Sequence, residues 1–363
     1  MEVIRALIAT RDRRTSALSK QKLHRTVGRD RSMKQSLLQY LQCPECASAL
    51  DLHATRHDGA EIMEGELVCG NNAHRFPVVH GVPRFASLTQ VTEGKAETAA
   101  KFGWQWTHFT QADDRYAEQF LAWIAPVRSG FFANKLVLEG GCGKGRHTQL
   151  AASWGAREVI GVDLSAAVES AFAATRNTQN AHVVQADIYK LPFPRIFDYA
   201  FSIGVLHHLP DPRAGFRSLA GKVKPGGHLS AWVYGAENNE WITRWINPLR
   251  ERLTSRINPR ALLHLSKLPA AAMYLATKLV YRPLNRLGSG TIAQHLFYND
   301  YLMAISDFGW REQHTIVFDH LIAPTAFYIS RGEFEEWWRD IEASEVQISW
   351  LNKNSWRGFG KVP

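Results

Sequence analysis

Between residues 135 and 234, short apolar runs alternate with amphipathic stretches. Segments 136–139, 159–163, 182–185, 197–203 and 228–234 are apolar and of strand length, and helical spacing fills the intervals between them. Strands with little polar alternation are buried on both faces, so the pattern predicts an α/β fold: a parallel sheet with helices on either side. Two later runs, 313–318 and 346–351, predict the closing strands. Between them Ser330 and Glu333 form a capping box, and Phe334, Trp337, Trp338 and Ile341 fall on one helical face. The stretch 236–300 interrupts the alternation and predicts a helical lid inserted into the sheet domain. Upstream, 101–124 is aromatic-rich, and Phe120, Leu121 and Ile124 at helical spacing predict a linker helix ending before Pro126.

A chain of 363 residues is long for one ordinary domain. The pattern divides it into a basic tail (1–32), a small domain (33–90), a linker region (91–134) and the sheet domain (135–363). The tail lacks the apolar core of a secretory signal. It is expected to be disordered, or to precede a true start at Met33, although its Arg-rich character also resembles a transit peptide. The net charge of +9 is local: residues 1–34 hold ten Lys/Arg against Glu2, Asp12 and Asp30, and residues 241–290 hold nine against Glu251. No stretch approaches the ~20 apolar residues of a membrane span.

The small domain contains Cys43-Pro-Glu-Cys46 and Cys69-Gly-Asn-Asn-Ala-His74. Two pairs of soft ligands on tight turns are what tetrahedral zinc requires, and four protein ligands make the metal structural. His80 is the reserve for His74. Three clustered cysteines with a histidine point to metal chemistry in a reducing compartment, so the expected location is cytoplasmic.

The main chemical signal is LVLEGGCGKGRHTQLAASWGA, a strand ending in Glu139, then Gly141, Gly143 and Gly145, then a helix. Such a turn lets a ligand approach the backbone and offers it free N–H groups at a helix start. Asp163 closes the next strand, where a carboxylate can meet both ribose hydroxyls, and Asp187 with Ile188 follows the third. These features alone leave NAD and S-adenosylmethionine (SAM) both open.

The motif resembles the acidic-x-Gly-x-Gly-x-Gly of class I SAM-dependent methyltransferases. The resemblance continues through LPF at 191–193, FDYAFSIGVLHHLPDP at 197–212 and VKPGG at 223–227, and covers roughly residues 100–363. It implies a Rossmann-like seven-stranded methyltransferase sheet with the last strand antiparallel, and SAM as cofactor. Glu139 would then serve the methionine amine, Asp163 the ribose, Asp187 and Ile188 the adenine, and the backbone near Ile203 the methionine end, with Leu164 a further cofactor-binding residue. Cys142 would be a turn residue.

The segment LLQYLQCPECASAL…GELVCGNNAHRFPVVHGVPRF resembles the zinc-ribbon family that includes the small activating subunit of tRNA, rRNA and release-factor methyltransferases, here fused in one chain. It departs from the four-cysteine form by using His74.

His207 occupies the position that resembles the catalytic histidine of phosphoethanolamine methyltransferases, and is expected to be the general base; His208 is expected to pack or cap the loop. His264, His295 and His320 are next in line. In the insertion, Trp241, Trp245, Leu249, Leu253 and Ile257 form an apolar stripe among Arg244, Arg250, Arg252 and Arg256. This suggests a lid for an acidic, phosphate-bearing or lipid-linked acceptor, or contact with a membrane surface. The expected acceptor is a small molecule, a sugar or a lipid-linked intermediate, with tRNA or rRNA as the alternative. Enzymes that methylate exocyclic base amines carry Asn/Asp-Pro-Pro-aromatic after the fourth strand, and 202–208 reads Ser-Ile-Gly-Val-Leu-His-His instead. A catalytically silent SAM-binding scaffold is the third reading.

Overall fold

A computed structural model describes residues 33–58, 61–71, 73–109, 115–287 and 293–363. The tail expected at 1–32 lies outside the described residues.

The small domain is a four-stranded antiparallel sheet, β1 (Leu50–Asp58), β2 (Glu61–Cys69), β3 (Arg75–Val79) and β4 (Val82–Pro83), in that order. Leu37, Leu41, Leu67 and Val78 fill its inner side, in one continuous apolar core with Val184, Ile188 and Phe193 of the sheet domain. The chain leaving β4 runs parallel to β7 (Ala181–Gln185), pairing Arg84 with Gln185, and Phe85 N–H donates to the Gln185 carbonyl (2.8 Å). Gln42 fastens a second point, its N–H donating to Pro192 O (2.9 Å) and its Nε2 to Phe193 O (3.0 Å).

The large sheet has the order β10-β11-β9-β8-β5-β6-β7, built from β5 (Leu136–Gly140), β6 (Glu158–Asp163), β7, β8 (Phe197–Ile203), β9 (Val223–Tyr234), β10 (Ser344–Leu351) and β11 (Ser355–Lys361). Strands β5 to β9 are parallel, and β11 lies antiparallel between β9 and β10. Helices Arg146–Ser153, Ala167–Thr175, Pro212–Ala220 and Arg331–Asp340 are among those that cover it. The last begins at Ser330, whose Oγ accepts from Glu333 N–H (3.2 Å), and it buries Phe334, Trp337 and Trp338.

Three sequence expectations need correction. Segment 313–318 is not a strand but the middle of helix Trp310–Ile322, which buries Gln313, His314, Phe318 and Ile322. Its β-branched composition imitated a strand, but the buried positions follow helical spacing. The seventh strand is instead Ser355–Lys361, whose glycines are there to make room: a Cβ on Gly358 would lie 2.7 Å from the Trp338 indole. The single linker helix is two, Glu93–His108 and Tyr116–Trp123. The insertion also continues beyond residue 300, because the chain rejoins the sheet only where Ile329 bridges Gly235.

Candidate functional site

At the carboxyl end of β5 the chain turns over Gly141, Gly143 and Gly145, all with positive φ. A Cβ on Gly141 would lie 2.2 Å from Val205 Cγ2, and one on Gly145 2.9 Å from Ala171 Cα. The first glycine therefore lets the turn pass the β8 loop, and the last lets two helices approach. The turn opens on a cavity of about 510 Å³, within the size range of small-molecule sites. Gly141, Gly143, Asp163, Leu164, Ile188 and Ile203 line it.

Glu139, Gly145 and Asp187 do not line it. Glu139 is buried, with Oε1 3.1 Å from His147 Nδ1 and Oε2 accepting from the Thr148 hydroxyl. Burial pushes its carboxyl up to about 8 despite the hydroxyl. His147 stands on the cavity wall instead.

Asp163 organises the turn from beneath. Its Oδ2 accepts from Gly143 N–H (2.9 Å), and its Oδ1 from Ser165 N–H (2.9 Å) and Ser165 Oγ (2.7 Å). Burial raises its pKa, and these hydrogen bonds pull it back. Asp187 is ion-paired with Lys95 and accepts from Tyr189 N–H (2.8 Å).

Lys95 was not anticipated from the sequence. It reaches the cavity from helix Glu93–His108, together with Gln105 and Trp106. That helix comes close enough because residue 103 is glycine, where a Cβ would sit 3.1 Å from Ala166 N. Burial lowers the Lys95 pKa while Asp187 raises it, and its ammonium lies 3.8 Å from the Tyr189 ring centroid.

The part of the cavity lined by Phe102, Trp232 and Tyr234, with His208, Asp319 and His320, is its aromatic chamber. The two adjacent histidines exchange their expected places. In the 3₁₀ turn Leu206–His208 neighbouring side chains diverge by about 120°, so only one of the pair can face the chamber. His207 is fully buried behind it, stacked on Tyr234 (3.9 Å between centroids), with Nδ1 accepting from Tyr234 N–H (3.4 Å). Its proton therefore sits on Nε2, a buried atom without a partner among the described residues, and the ring is not placed to take a proton from a ligand. His208 donates Nδ1–H to the Thr325 carbonyl (2.6 Å), which leaves the Nε2 lone pair free on a ring that lines the cavity. Burial pulls His208 down to about 3 and His320 to about 4, so both are neutral near pH 7. Asp319 accepts from Gln105 Nε2 (2.9 Å). His264 and His295 are exposed and off the cavity, whereas His320 is on it.

The apolar stripe of the insertion is not the chamber's lid. Trp245, Leu249 and Leu253 are exposed, and Arg250 is 1% exposed, with Nε and Nη2 unpartnered. Ile242, Tyr298 and Tyr301 line the chamber in their place.

The ligand atoms of Cys43, Cys46, Cys69 and His74 lie within 4.8 Å of one another. His74 Nδ1 is 3.5 Å from Cys43 Sγ and 3.6 Å from Cys69 Sγ. Tetrahedral zinc with ordinary Zn–S and Zn–N bonds sets S···N at about 3.6 Å, so the set fits a structural zinc. His80 is outside the cluster, its N–H directed to Glu64.

Comparison with known proteins agrees with this architecture. Residues 138–231 match the model of a methyltransferase domain, and residues 34–81 that of Trm112p-like proteins. The chain is 29% identical over 204 residues to a tRNA U34 carboxymethyltransferase of Aeromonas hydrophila, covering 49% of this chain and 60% of that one. The enzyme of the same name from Sodalis glossinidius is 31% identical over 137 residues, 37% of this chain and 38% of that one. A ubiquinone biosynthesis O-methyltransferase of Idiomarina loihiensis is 29% identical over 181 residues, 44% of this chain and 74% of that one. The chain thus spans about 40–60% of the length of the tRNA enzymes it matches. Similarity to enzymes named for tRNA overturns the expectation of a small-molecule, sugar or lipid-linked acceptor, and favours the alternative weighed beside it. Among the described residues no helix is long and apolar enough to cross a membrane. With the glycine turn, the seven-stranded order and the cysteine–histidine cluster in place, residues 138–231 are a methyltransferase domain and residues 34–81 a Trm112p-like zinc-ribbon domain, joined in the same polypeptide.

Proposed function

We propose that this protein transfers a methyl group from SAM to a nucleoside of tRNA. The observation that carries the reading is the similarity of stretches of 137 and 204 residues of the chain to tRNA U34 carboxymethyltransferases. The chamber supports the reading on physical grounds. Aromatic walls with a few polar groups suit a base taken out of its stack, held between π faces and read along its edge.

In this reading Asp163 accepts from both ribose hydroxyls of the cofactor, which displace the Ser165 hydroxyl, while keeping its bonds to Gly143 N–H and Ser165 N–H and so filling its four acceptor sites. Leu164 and Ile188 contact the adenine, and the backbone at Gly141, Gly143 and Ile203 frames the methionine end. Glu139 and Gly145 shape the turn. Asp187, behind the cavity wall, holds Lys95 at the adenine end. Bound SAM supplies an electrophilic methyl on a sulfonium. The protein's part is to align the acceptor atom with that methyl and to remove its proton. His208 Nε2 takes the proton, because its Nδ1–H is committed to Thr325 and its lone pair stays available at neutral pH. His207 holds the back of the chamber.

The test is incubation of the full chain with labelled SAM and, separately, bulk tRNA, rRNA and a small-molecule extract, followed by digestion to nucleosides and mass spectrometry. Label in a tRNA nucleoside is expected, with the added mass of one methyl group. Label confined to small molecules would defeat the proposal.

A further inference from the structure

The insertion presents an apolar face that is left exposed among the described residues. Helix Lys267–Ala276 runs directly into the segments Thr277–Tyr281 and Arg282–Leu287. Ala270 and Thr277, seven residues apart, are fully buried, and Thr277 Oγ1 donates to Gln313 on helix Trp310–Ile322 (3.1 Å). Another side carries Leu268, Leu275 and Leu279, which are 80%, 54% and 69% exposed, with Leu265 just before them at 60%. Spacings of seven and four put these leucines on one face. Trp245 and Leu249, four residues apart on an earlier helical segment, and Leu253 just past its end are exposed as well.

Six of the nine cations in residues 241–290 are exposed too: Arg244, Arg252, Arg256, Arg260, Lys267 and Arg286. Residues 241–290 contain Glu251 as their one acidic residue. Ordinary surfaces scatter exposed leucines singly, whereas a run of them among cations has the form of an interfacial helix, apolar side chains at the acyl boundary and cations among the headgroups.

We propose that this face docks the protein on an anionic phospholipid surface. Charge decides among the occupants. Two copies of a face this basic repel each other, which opposes self-association. RNA would pair with the arginines but leave Leu268, Leu275 and Leu279 in water. An anionic bilayer satisfies both kinds of residue. The proposal is independent of the acceptor, since the face lies off the cavity.

The test is co-sedimentation of the full chain with phosphatidylcholine vesicles, with and without phosphatidylglycerol, at low and high salt. Binding to the anionic vesicles alone, weakened by salt, is expected. Withdrawing three leucines from the acyl boundary should lower partitioning at least a hundredfold, or about that, in Leu268→Asp/Leu275→Asp/Leu279→Asp. Its SAM affinity and melting temperature should stay unchanged. A second variant, Arg252→Glu/Arg256→Glu/Arg260→Glu, should lose anionic selectivity. The proposal is overturned if the wild type ignores anionic vesicles or the leucine variant binds them equally. It is also overturned by a dimer that the leucine variant dissolves, or by tRNA binding that depends on these arginines with no vesicle binding.

Discussion

Replacing Asp163 by alanine should damage two properties at once, to degrees that can be estimated separately. The carboxylate accepts three hydrogen bonds inside the protein, from Gly143 N–H, Ser165 N–H and Ser165 Oγ. Hydrogen bonds to a charged acceptor contribute about 1.5–3 kcal/mol each, but the site opens on a cavity, where water can replace part of them. The net loss of stability should therefore be about 2–4 kcal/mol, a large part of the ~5–15 kcal/mol typical of a folded protein. For SAM the variant loses two hydroxyl donors' acceptor, so Kd should rise at least about a hundredfold. Urea denaturation of the SAM-free protein reads the first effect, and calorimetry the second. Linkage provides an internal check: SAM at a hundred times the wild-type Kd should stabilise the wild type by about 2.7 kcal/mol, and the variant by only about 0.4 kcal/mol. A variant with an unchanged urea midpoint and a Kd within about threefold of wild type would refute the assignment.

His208→Ala should lower kcat by about 10²–10⁴-fold with SAM affinity little changed, whereas His207→Ala should act mainly on stability; the reverse result would restore His207 as the base. Because burial holds His208 at about 3, the rate profile should show no acid limb near pH 6.5 from this group. Its native pKa lies below its unfolded value, so its share of stability is complete above about pH 6.5 and is lost as pH falls toward 3. His208→Gln should thus remove about 1.4 kcal/mol per pH unit of that acid loss, measurable by urea titrations at several pH values. Cys46→Ser should abolish zinc binding in elemental analysis and also lower SAM affinity, because the ribbon pairs with β7 at Gln185, two residues before Asp187. Undiminished SAM binding by zinc-free protein would show the two parts to be independent. Gly358→Ala should cost about 1–3 kcal/mol by thermal unfolding, since the new methyl meets the Trp338 indole, while leaving SAM affinity intact.

The cofactor turn was legible in the sequence because its requirements are local. Glycines that must adopt positive φ, a carboxylate at a strand end and paired cysteines on tight turns declare themselves within a few residues. What could not be read depends on distant parts of the chain. Lys95 and Gln105 look like ordinary helix-surface residues until Gly103 brings their helix against Ala166. Choosing between His207 and His208 requires the direction of a one-turn 3₁₀ helix and the arrival of Thr325, more than a hundred residues later. Arg250 read as a solvated edge of an apolar stripe and is in fact buried. Segment 313–318 misled for a similar reason, since β-branched residues are tolerated in a helix whose buried face packs well, and only the packing partner reveals it.

The ribbon's grip on β7 through Arg84 and Phe85 has a consequence for supply. If the same ribbon came from a separate chain, the fraction of paired enzyme would depend on how much ribbon the cell held and on how many other enzymes drew on it. With both parts in one polypeptide the pairing is intramolecular, and a short tether sets a local concentration on the order of millimolar. Dilution and competition no longer govern occupancy, and stoichiometry is fixed at synthesis. The interface can then evolve weaker contacts without the enzyme ever losing its partner.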